Sequence, residues 1–464
     1  HPREWLSCLY LTNVSLGNTV TRIGNSAFLT CNRLASIAIP GSVTNIGNGV
    51  FDACTVLKAI PVDEANAFYS SADGALLNKS QTLLLDCPEG RAGNYDIPNS
   101  VTSIGDAALG GCRRLTSVTI PSTVTNIGVA AFAGCELLTN IVIPEGAKSI
   151  RDRTFDSCTR ITDVLIPNGV ISIGSYAFSG CASLKNIAIP DGVSSMGSHA
   201  FGGCTNLVSV SLGKGIASIE FGAFRDCTGL PNISLPDSVT NIGLIAFWNC
   251  TSLTNVTLGG NVIEIGDFAF STCTSLPRLI VPDSVAYIWD HAFESCSNLT
   301  GLYFRGDAPS IGTHVFTNAD NVTVYYLPGT SGWGSTFGGR PTALWPPQIL
   351  PGDASFGVRE NQFGFNVAWA SGQTVVVEAS TDVANPLWLP LQTKTGGIIR
   401  RDSTASVRPE PQEDRIALPQ TLPVWGAHAA GVQISAARRK TRLLLRFVSK
   451  EEARAREIRV GHPN

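Results

Sequence analysis

The chain has 464 residues, 44% of them hydrophobic and only 15% charged, with a formal net charge of −3. That is ample material for a large core, and no run of about 18 apolar residues offers a membrane-spanning helix. The charge is uneven: residues 1–393 carry 19 basic against 29 acidic side chains, and residues 394–464 carry 14 against 7. Most of the chain is therefore too acidic to read as a nucleic-acid binder, which needs a basic surface.

Trp5-x-x-Cys8-x-x-Leu11 opens the chain inside a repeating unit. Cysteines stand at 8, 31 and 54, and again at 112, 135, 158, 181, 204, 227, 250, 273 and 296, at intervals of 23 residues within each run. A fixed period of this size marks a solenoid. The unit is clearest between Cys112 and Cys135, where Leu115, Val118, Ile120, Val124, Ile127, Ala131 and Phe132 recur one period later as Leu138, Ile141, Ile143, Ala147, Ile150, Thr154 and Phe155. Val118-x-Ile120 alternates, which predicts a short strand with one face inward. Pro121 lacks an N–H and fixes its own φ, so it ends that strand at a turn. Val124 and Ile127 form a second inward edge. Ala131, Phe132, Cys135 and Leu138 fall at i, i+1, i+4 and i+7, which predicts a turn or two of α- or 3₁₀-helix. Gly128 follows Ile127, but Arg151, Glu220 and Trp289 take its place in other units, so a positive φ is not required there.

One unit cannot bury its apolar face alone; stacked units bury it against each other. The predicted fold is a β-rich α/β solenoid, a leucine-rich repeat array of about thirteen turns at the 23-residue period, with short strands and short helical or 3₁₀ turns. The single Met is Met196 and the chain starts at His1. An array entered mid-unit without a polar cap predicts a piece of a longer protein.

Repeats are expected over residues 1–61 and 98–318. Between them, residues 62–97 form an insertion. Ala75-Leu76-Leu77 and Leu83-Leu84-Leu85 flank Asn78-Lys79-Ser80-Gln81 as a β-hairpin, and Asp73-Gly74 marks the preceding turn. The insertion reads either as a bridge between two runs of repeats or as a protruding binding element. After Cys296 the pattern decays, with Ala319 in the cysteine place, and residues 319–345 are expected to cap the array. Residues 346–355 read as a linker. Residues 356–393 begin a partial β module through Phe363-x-Phe365-x-Val367 and Val375-x-Val377. After Gly397 arginine rises and no β alternation continues, so residues 394–464 read as a basic tail, disordered or aberrant. Ser449-x-x-Glu452 is a capping box for a short helix there.

The run Leu-x-x-Val-x-Ile-Pro-x-x-Val-x-x-Ile-Gly-x-x-Ala-Phe-x-x-Cys, complete at 115–135, resembles the BspA-like, treponemal-type leucine-rich repeat. The likeness covers about residues 5–345. It implies a secreted or cell-surface bacterial protein that binds macromolecules along an extended surface, in adhesion or cell–cell contact. The end segment is similar to that of secreted members, and the partial β module resembles a small C-terminal module that follows repeat arrays in some secreted bacterial proteins.

Twelve cysteines share one repeat place and predict a buried ladder of thiols acting as small hydrophobes. Without C-x-x-C, zinc is not expected. Cys87 lies outside the ladder with no evident partner. No P-loop, G-x-S-x-G, H-E-x-x-H or dinucleotide fingerprint occurs. His199 and His291 share one repeat place four periods apart and read as surface histidines.

The informative positions lie five and seven residues after each cysteine, outward on the first strand, on what would be the concave face. They include Asn140/Val142, Asp163/Leu165, Asn186/Ala188, Ser209/Ser211, Asn232/Ser234, Asn255/Thr257, Arg278/Ile280 and Gly301/Tyr303. Asn140, Asp163, Asn186, Ser209, Asn232, Asn255, Arg278 and Tyr303 are the candidate binding residues. One carboxylate and one guanidinium cannot supply the convergent, tuned groups of acid–base catalysis. No catalytic, cofactor or metal residue is therefore assigned. The expected partner is a matrix or cell-surface protein, or a polysaccharide. The aromatics Tyr303, Phe304, Tyr325, Tyr326 and Trp333 read first as core of the cap, and otherwise as a stacking surface for a glycan or an anchor for a protein. The expected state is a monomer. The alternatives are a spacer displaying another module and the non-catalytic part of a larger secreted enzyme.

Overall fold

The computed structural model describes residues 10–327 and 329–345 in full, and beyond them the backbone of short strands between Gln348 and Ser449. Trp5, Cys8 and nearly all of the expected linker at 346–355 lie outside the described residues. The chain divides into two compact units, residues 1–324 with 334–342, and residues 325–333 with 343–464. The segment 319–345 is thus shared between them.

The first unit is a solenoid with a 23-residue period and about thirteen turns. First strands stack in parallel and in register. Asn140–Val142, Asp163–Leu165, Asn186–Ala188 and Ser209–Ser211 pair residue for residue at one period's offset. Ala92–Asp96 and Arg114–Thr119 complete that six-stranded sheet. In the three-residue strands the middle side chain points into the core and its neighbours point out, as the pleat requires. The proline then turns the chain: its carbonyl accepts the N–H three residues on, as Pro121 does from Val124 (3.1 Å) and Pro144 from Ala147 (3.0 Å). Two-residue second strands follow, such as Ser149–Ile150, Ser172–Ile173 and Ser195–Met196, again parallel, each with a buried Ile or Met.

The expected helical turn is replaced by something else, and no helix occurs among the described residues. In the segment after each second strand, alternate N–H groups leave the turn. Those of Ala130, Phe132 and Gly134 donate to the carbonyls of Asp152, Thr154 and Asp156 in the next turn, at 2.9, 2.9 and 2.7 Å. The intervening N–H groups of Ala131, Ala133 and Cys135 close three-residue turns onto Gly128, Ala130 and Phe132. Two residues per unit pay for this with a left-handed backbone: the residue two before the Phe, as at Ala130, Arg153, Tyr176 and His199, and the residue before the Cys, as at Gly134, Ser157, Gly180 and Gly203. The apolar spacing seen in the sequence is compatible with either conformation. The stacked neighbour, which offers carbonyls at turn spacing, decides for the ladder.

Phe132, Phe155, Phe178 and Phe201 are fully buried and stack at centroid distances of 5.3 Å. Each contributes about 2–3 kcal/mol by removal from water. Gly128 has an ordinary φ, and its glycine answers to close packing: a Cβ there would lie 2.5 Å from the backbone of Gly105 and Asp106 in the previous turn.

The insertion is built into the array. Tyr69–Ala72 pairs antiparallel with Ala75–Asn78, which pairs with Leu83–Asp86. Asp73 and Gly74 take φ of 47° and 79° in the first turn, the signature of a two-residue hairpin turn. Leu83–Asp86 then pairs in parallel with the second strand Ser103–Ile104. Asn66, fully buried, pins the insertion: its Nδ2 donates to the Pro40 and Val43 carbonyls (2.9 Å each), and its Oδ1 accepts from the N–H groups of Phe68 and Tyr69.

In the second unit, Thr374–Ser380 pairs antiparallel with both Leu389–Thr395 and Arg442–Ser449, and the latter pairs with Gly431–Ser435. Strand pairing therefore continues past Gly397, where the sequence pattern predicts none. Ser449, expected as a helix cap, ends a strand. In Thr-Arg-Leu-Leu-Leu-Arg-Phe-Val, Leu444 and Val448 fall in phase with Arg442 and Arg446, which breaks the period-two pattern by which such a strand is read from sequence. Ile398–Ile399 pairs antiparallel with Val367–Ala368, and the remaining residues of 394–464 lie outside the described residues.

Candidate binding faces

The twelve described cysteines are buried and free of disulfides. Each regular thiol donates back to a carbonyl of the preceding turn, as Cys158 does to Phe132 (3.1 Å) and Cys204 to Phe178 (3.2 Å). Burial pushes the thiols of Cys204, Cys250 and Cys296 up to about 12, so they are poor nucleophiles and poor metal ligands at neutral pH. Cys87, which has no evident partner in the sequence, lies beneath the ladder: the Cys112 thiol donates to the Cys87 carbonyl at 3.2 Å. Cys87 thus stands in the phenylalanine place of its turn: its N–H donates to the Ala108 carbonyl at 2.6 Å and its carbonyl accepts the next turn's thiol, the two roles that Phe132 plays towards Thr154 and Cys158.

The first-strand face presents the candidate residues in one row. Asn140, Asp163, Asn186 and Ser209 are exposed neighbours in register, and Asn232 pairs with Asn255. The Asn186 amide donates to the Asp163 carboxylate at 3.4 Å. Beside them Val142 and Leu165, also in register, are 69% and 70% exposed. These are large apolar surfaces with no covering partner inside the unit. Arg278, exposed, stands at the other end, opposite Gly301. Tyr303 is half-buried and folds back: a Cβ on Gly301 would meet its ring at 2.5 Å. Gly301 is therefore covered, and Tyr303 lies along its strand. Asp163 and Arg278 are five turns apart, so the face joins no ionisable pair.

Phe304 is buried against Phe337. Tyr326 stacks on Trp333 at 5.1 Å within the second unit, and the Trp333 Nε1–H donates to Thr330 Oγ1.

His199 and His291 are half-buried stacking partners. His199 lies between Tyr176 and Phe221, at 4.8 and 4.6 Å. Burial, then the nearby Arg225 charge, lowers its basicity. His291 lies between Phe268 and His314, at 4.5 and 5.1 Å. His314 shares their repeat place, one period beyond His291, a match that was legible in the spacing. An open pocket of about 260 Å³ is lined by Val129, Ser149, Arg151, Asp152, Ser172 and Gly174, where Arg151 stands in for the usual glycine. Among the described residues no His, Cys, Asp and Glu group could hold a metal ion, and no helix is long and apolar enough to cross a membrane.

Parallel in-register strands, an asparagine-rich outer row and a phenylalanine ladder define a leucine-rich repeat solenoid. Its particular kind follows from the repeat itself: the model of the BspA type leucine rich repeat region matches residues 4–80, 91–208 and 194–323 in six copies, and the chain belongs to that family. Among solved structures it is similar to a leucine-rich repeat protein from Bacteroides ovatus ATCC 8483, at 28% identity over 67% of this chain and 82% of that one, with a TM-score of 0.49. It is also similar to a leucine rich cell surface protein from Faecalibacterium prausnitzii A2-165, at 27% identity over 68% and 86%, with a TM-score of 0.41. A Treponema pallidum leucine rich repeat protein shows 27% identity over 46% and 90%, with a TM-score of 0.33. No curated protein matches.

Proposed function

We propose that this chain is a non-enzymatic binding protein of the bacterial cell surface or exterior, which engages a partner protein along its first-strand face. The observation that supports this reading most is the in-register pair Val142 and Leu165, 69% and 70% exposed, beside the hydrogen-bonding row Asn140, Asp163, Asn186 and Ser209. Apolar anchors next to small polar groups are what a protein interface buries. The row continues through Asn232 and Asn255 to Arg278, so contact would be spread over many turns, and specificity would come from geometry more than from one residue. The thiol ladder is compatible with an oxidising exterior, because burial keeps each sulfur from oxidants.

The test is surface plasmon resonance of the full chain against immobilised matrix proteins, cell-surface proteins and polysaccharides. Saturable binding to a protein, weakened about tenfold or more by Leu165→Ser or Asn186→Ala, supports the reading. Binding to a polysaccharide that depends on Tyr303 would replace it. Binding that all the face variants share equally would favour a spacer that displays another module.

A further inference from the structure

The chain treats several of its surface aromatics in one way. The Arg153 guanidinium lies 4.4 Å from the Tyr176 ring centroid, Arg225 lies 4.8 Å from that of Trp248, and Arg33 lies 5.3 Å from that of Tyr10. A guanidinium over an aromatic face is attracted by the ring's negative centre. Two stacked rings depart from this habit. Tyr287 and Trp289 lie 5.9 Å apart and 18° from parallel, are 43% and 44% exposed, and carry no cation of the described residues.

Their setting follows from the repeat. Tyr287 is the outward residue of the second strand Tyr287–Ile288, in register with Glu264 on one side and Ser310 on the other. Trp289 takes the place that is Gly266 one turn before and Gly312 one turn after. With a glycine on each side, no side chain of that row covers the indole. The neighbouring charge is negative. Between 264 and 294 the sequence has Glu264, Asp267, Asp283, Asp290 and Glu294 against Arg278, and Arg278 belongs to the first-strand sheet. The Glu264 carboxylate accepts from the Asn241 amide at 3.4 Å and stands one turn from the Tyr287 ring.

We propose that Trp289 and Tyr287, with Glu264 beside them, form a receptor for an arginine side chain presented by a partner protein. The guanidinium would lie over an exposed ring face and direct N–H groups to the carboxylate, which accepts them in a fork geometry. The site belongs to the second strand and is separate from the first-strand row. It goes beyond the function proposed above, since it specifies the chemistry of one contact on another surface.

The test is fluorescence anisotropy of a labelled, end-blocked tetra-arginine peptide with the full chain at low salt. Tetraglutamate is the control, and Trp289→Gly and Glu264→Arg are the variants. Trp289→Gly installs the residue that other turns carry in this place. Glu264→Arg keeps the indole and supplies the ring's cation from within the chain. Saturable binding to tetra-arginine, weakened about tenfold by either variant with an unchanged circular dichroism spectrum, is the expected result. Absence of binding to the unaltered chain, equal binding of tetraglutamate, or undiminished binding by a folded Glu264→Arg variant would overturn the proposal.

Discussion

The thiol of Cys181 donates to the carbonyl oxygen of Phe155, 3.2 Å away in the preceding turn. The same bond recurs along the array, for example from Cys227 to Phe201 and from Cys273 to Phe247. The cysteine thus fills a small apolar space and satisfies a buried carbonyl at once, which alanine and valine cannot both do. Cys181→Ala removes the bond and leaves a small void, so it should destabilise the chain by about 1–2 kcal/mol. Cys181→Val, which fills the space without donating, should cost less than Cys181→Ala if the void dominates. Urea unfolding monitored by circular dichroism would rank the two.

The same ladder sets an alkaline limit. Burial raises Cys204, Cys250 and Cys296 from 9.0 to about 12. The unfolded chain therefore releases these protons first. The thiols leave stability unchanged well below pH 9 and lower it as pH rises from about 9 towards 12. Unfolding midpoints measured across this range should drop steadily. A Cys204→Val, Cys250→Val, Cys296→Val triple variant should show a shallower decline.

Asp86 gives a second dependence of the same sign at lower pH. It ends the strand Leu83–Asp86 of the insertion, and burial, then the charges of Asp52 and Glu89, raise its carboxyl from 3.8 to about 8. The folded chain holds a proton that the unfolded chain has lost. Stability contributed by the neutral carboxyl is present below pH 3.8 and declines as pH rises from there to about 8. Asp86→Asn keeps the neutral shape at every pH. It should raise the thermal midpoint by several degrees at pH 8.5 and leave it nearly unchanged at pH 4. An equal effect at both values would place the cause in packing.

Much of this architecture was legible in the sequence because the period is carried by side chains. Val118-x-Ile120, Pro121 and Ile127 specify strand, turn and strand through chemistry that each residue carries alone. The conformation of the Phe132–Cys135 segment was not legible from apolar spacing, because half of its N–H groups answer to carbonyls 22 residues ahead. A trace existed: Gly111, Gly134, Gly180, Gly203, Asp226, Asn249 and Asn318 precede the cysteine place, and such residues favour the left-handed backbone found there. On the first-strand face, the outward direction of Asn186 followed from alternation, whereas the folding back of Tyr303 over Gly301 depends on a missing side chain in its own strand. Trp289 reads in the sequence as a departure from glycine. Its stacking on Tyr287 becomes visible only when the turns are assembled.

Asn66 should be the costliest single polar residue in the insertion. It closes four hydrogen bonds in a site of 0% exposure, to Pro40, Val43, Phe68 and Tyr69. Asn66→Ala leaves those backbone groups without partners and should cost on the order of 3 kcal/mol. Asn66→Asp keeps the acceptor and loses the donor, placing a carboxylate against two carbonyls, so it should be no milder. Hydrogen exchange should show the loss first at Phe68 and Tyr69. If protection there is unchanged in Asn66→Ala, the side chain does not hold the insertion.

Ile245 carries a cost that can be relieved. It sits at φ 50° in the place that Gly222 and Gly49 occupy in other turns, each at φ 60°. A β-branched side chain in the left-handed region costs about 1–2 kcal/mol. Its N–H donates to the Asp267 carbonyl at 2.8 Å, so the backbone must keep that conformation to stay in the ladder. Ile245→Gly should stabilise the chain by up to about 1 kcal/mol, after the glycine's greater freedom in the unfolded state is subtracted. The reverse change, Gly222→Ile, should be strongly destabilising, because a Cβ at Gly222 would lie 2.4 Å from the His199 ring as well as in the strained region. Thermal unfolding of both variants decides the point. A loss of stability in Ile245→Gly would mean that the half-buried side chain returns more through packing than its backbone strain removes.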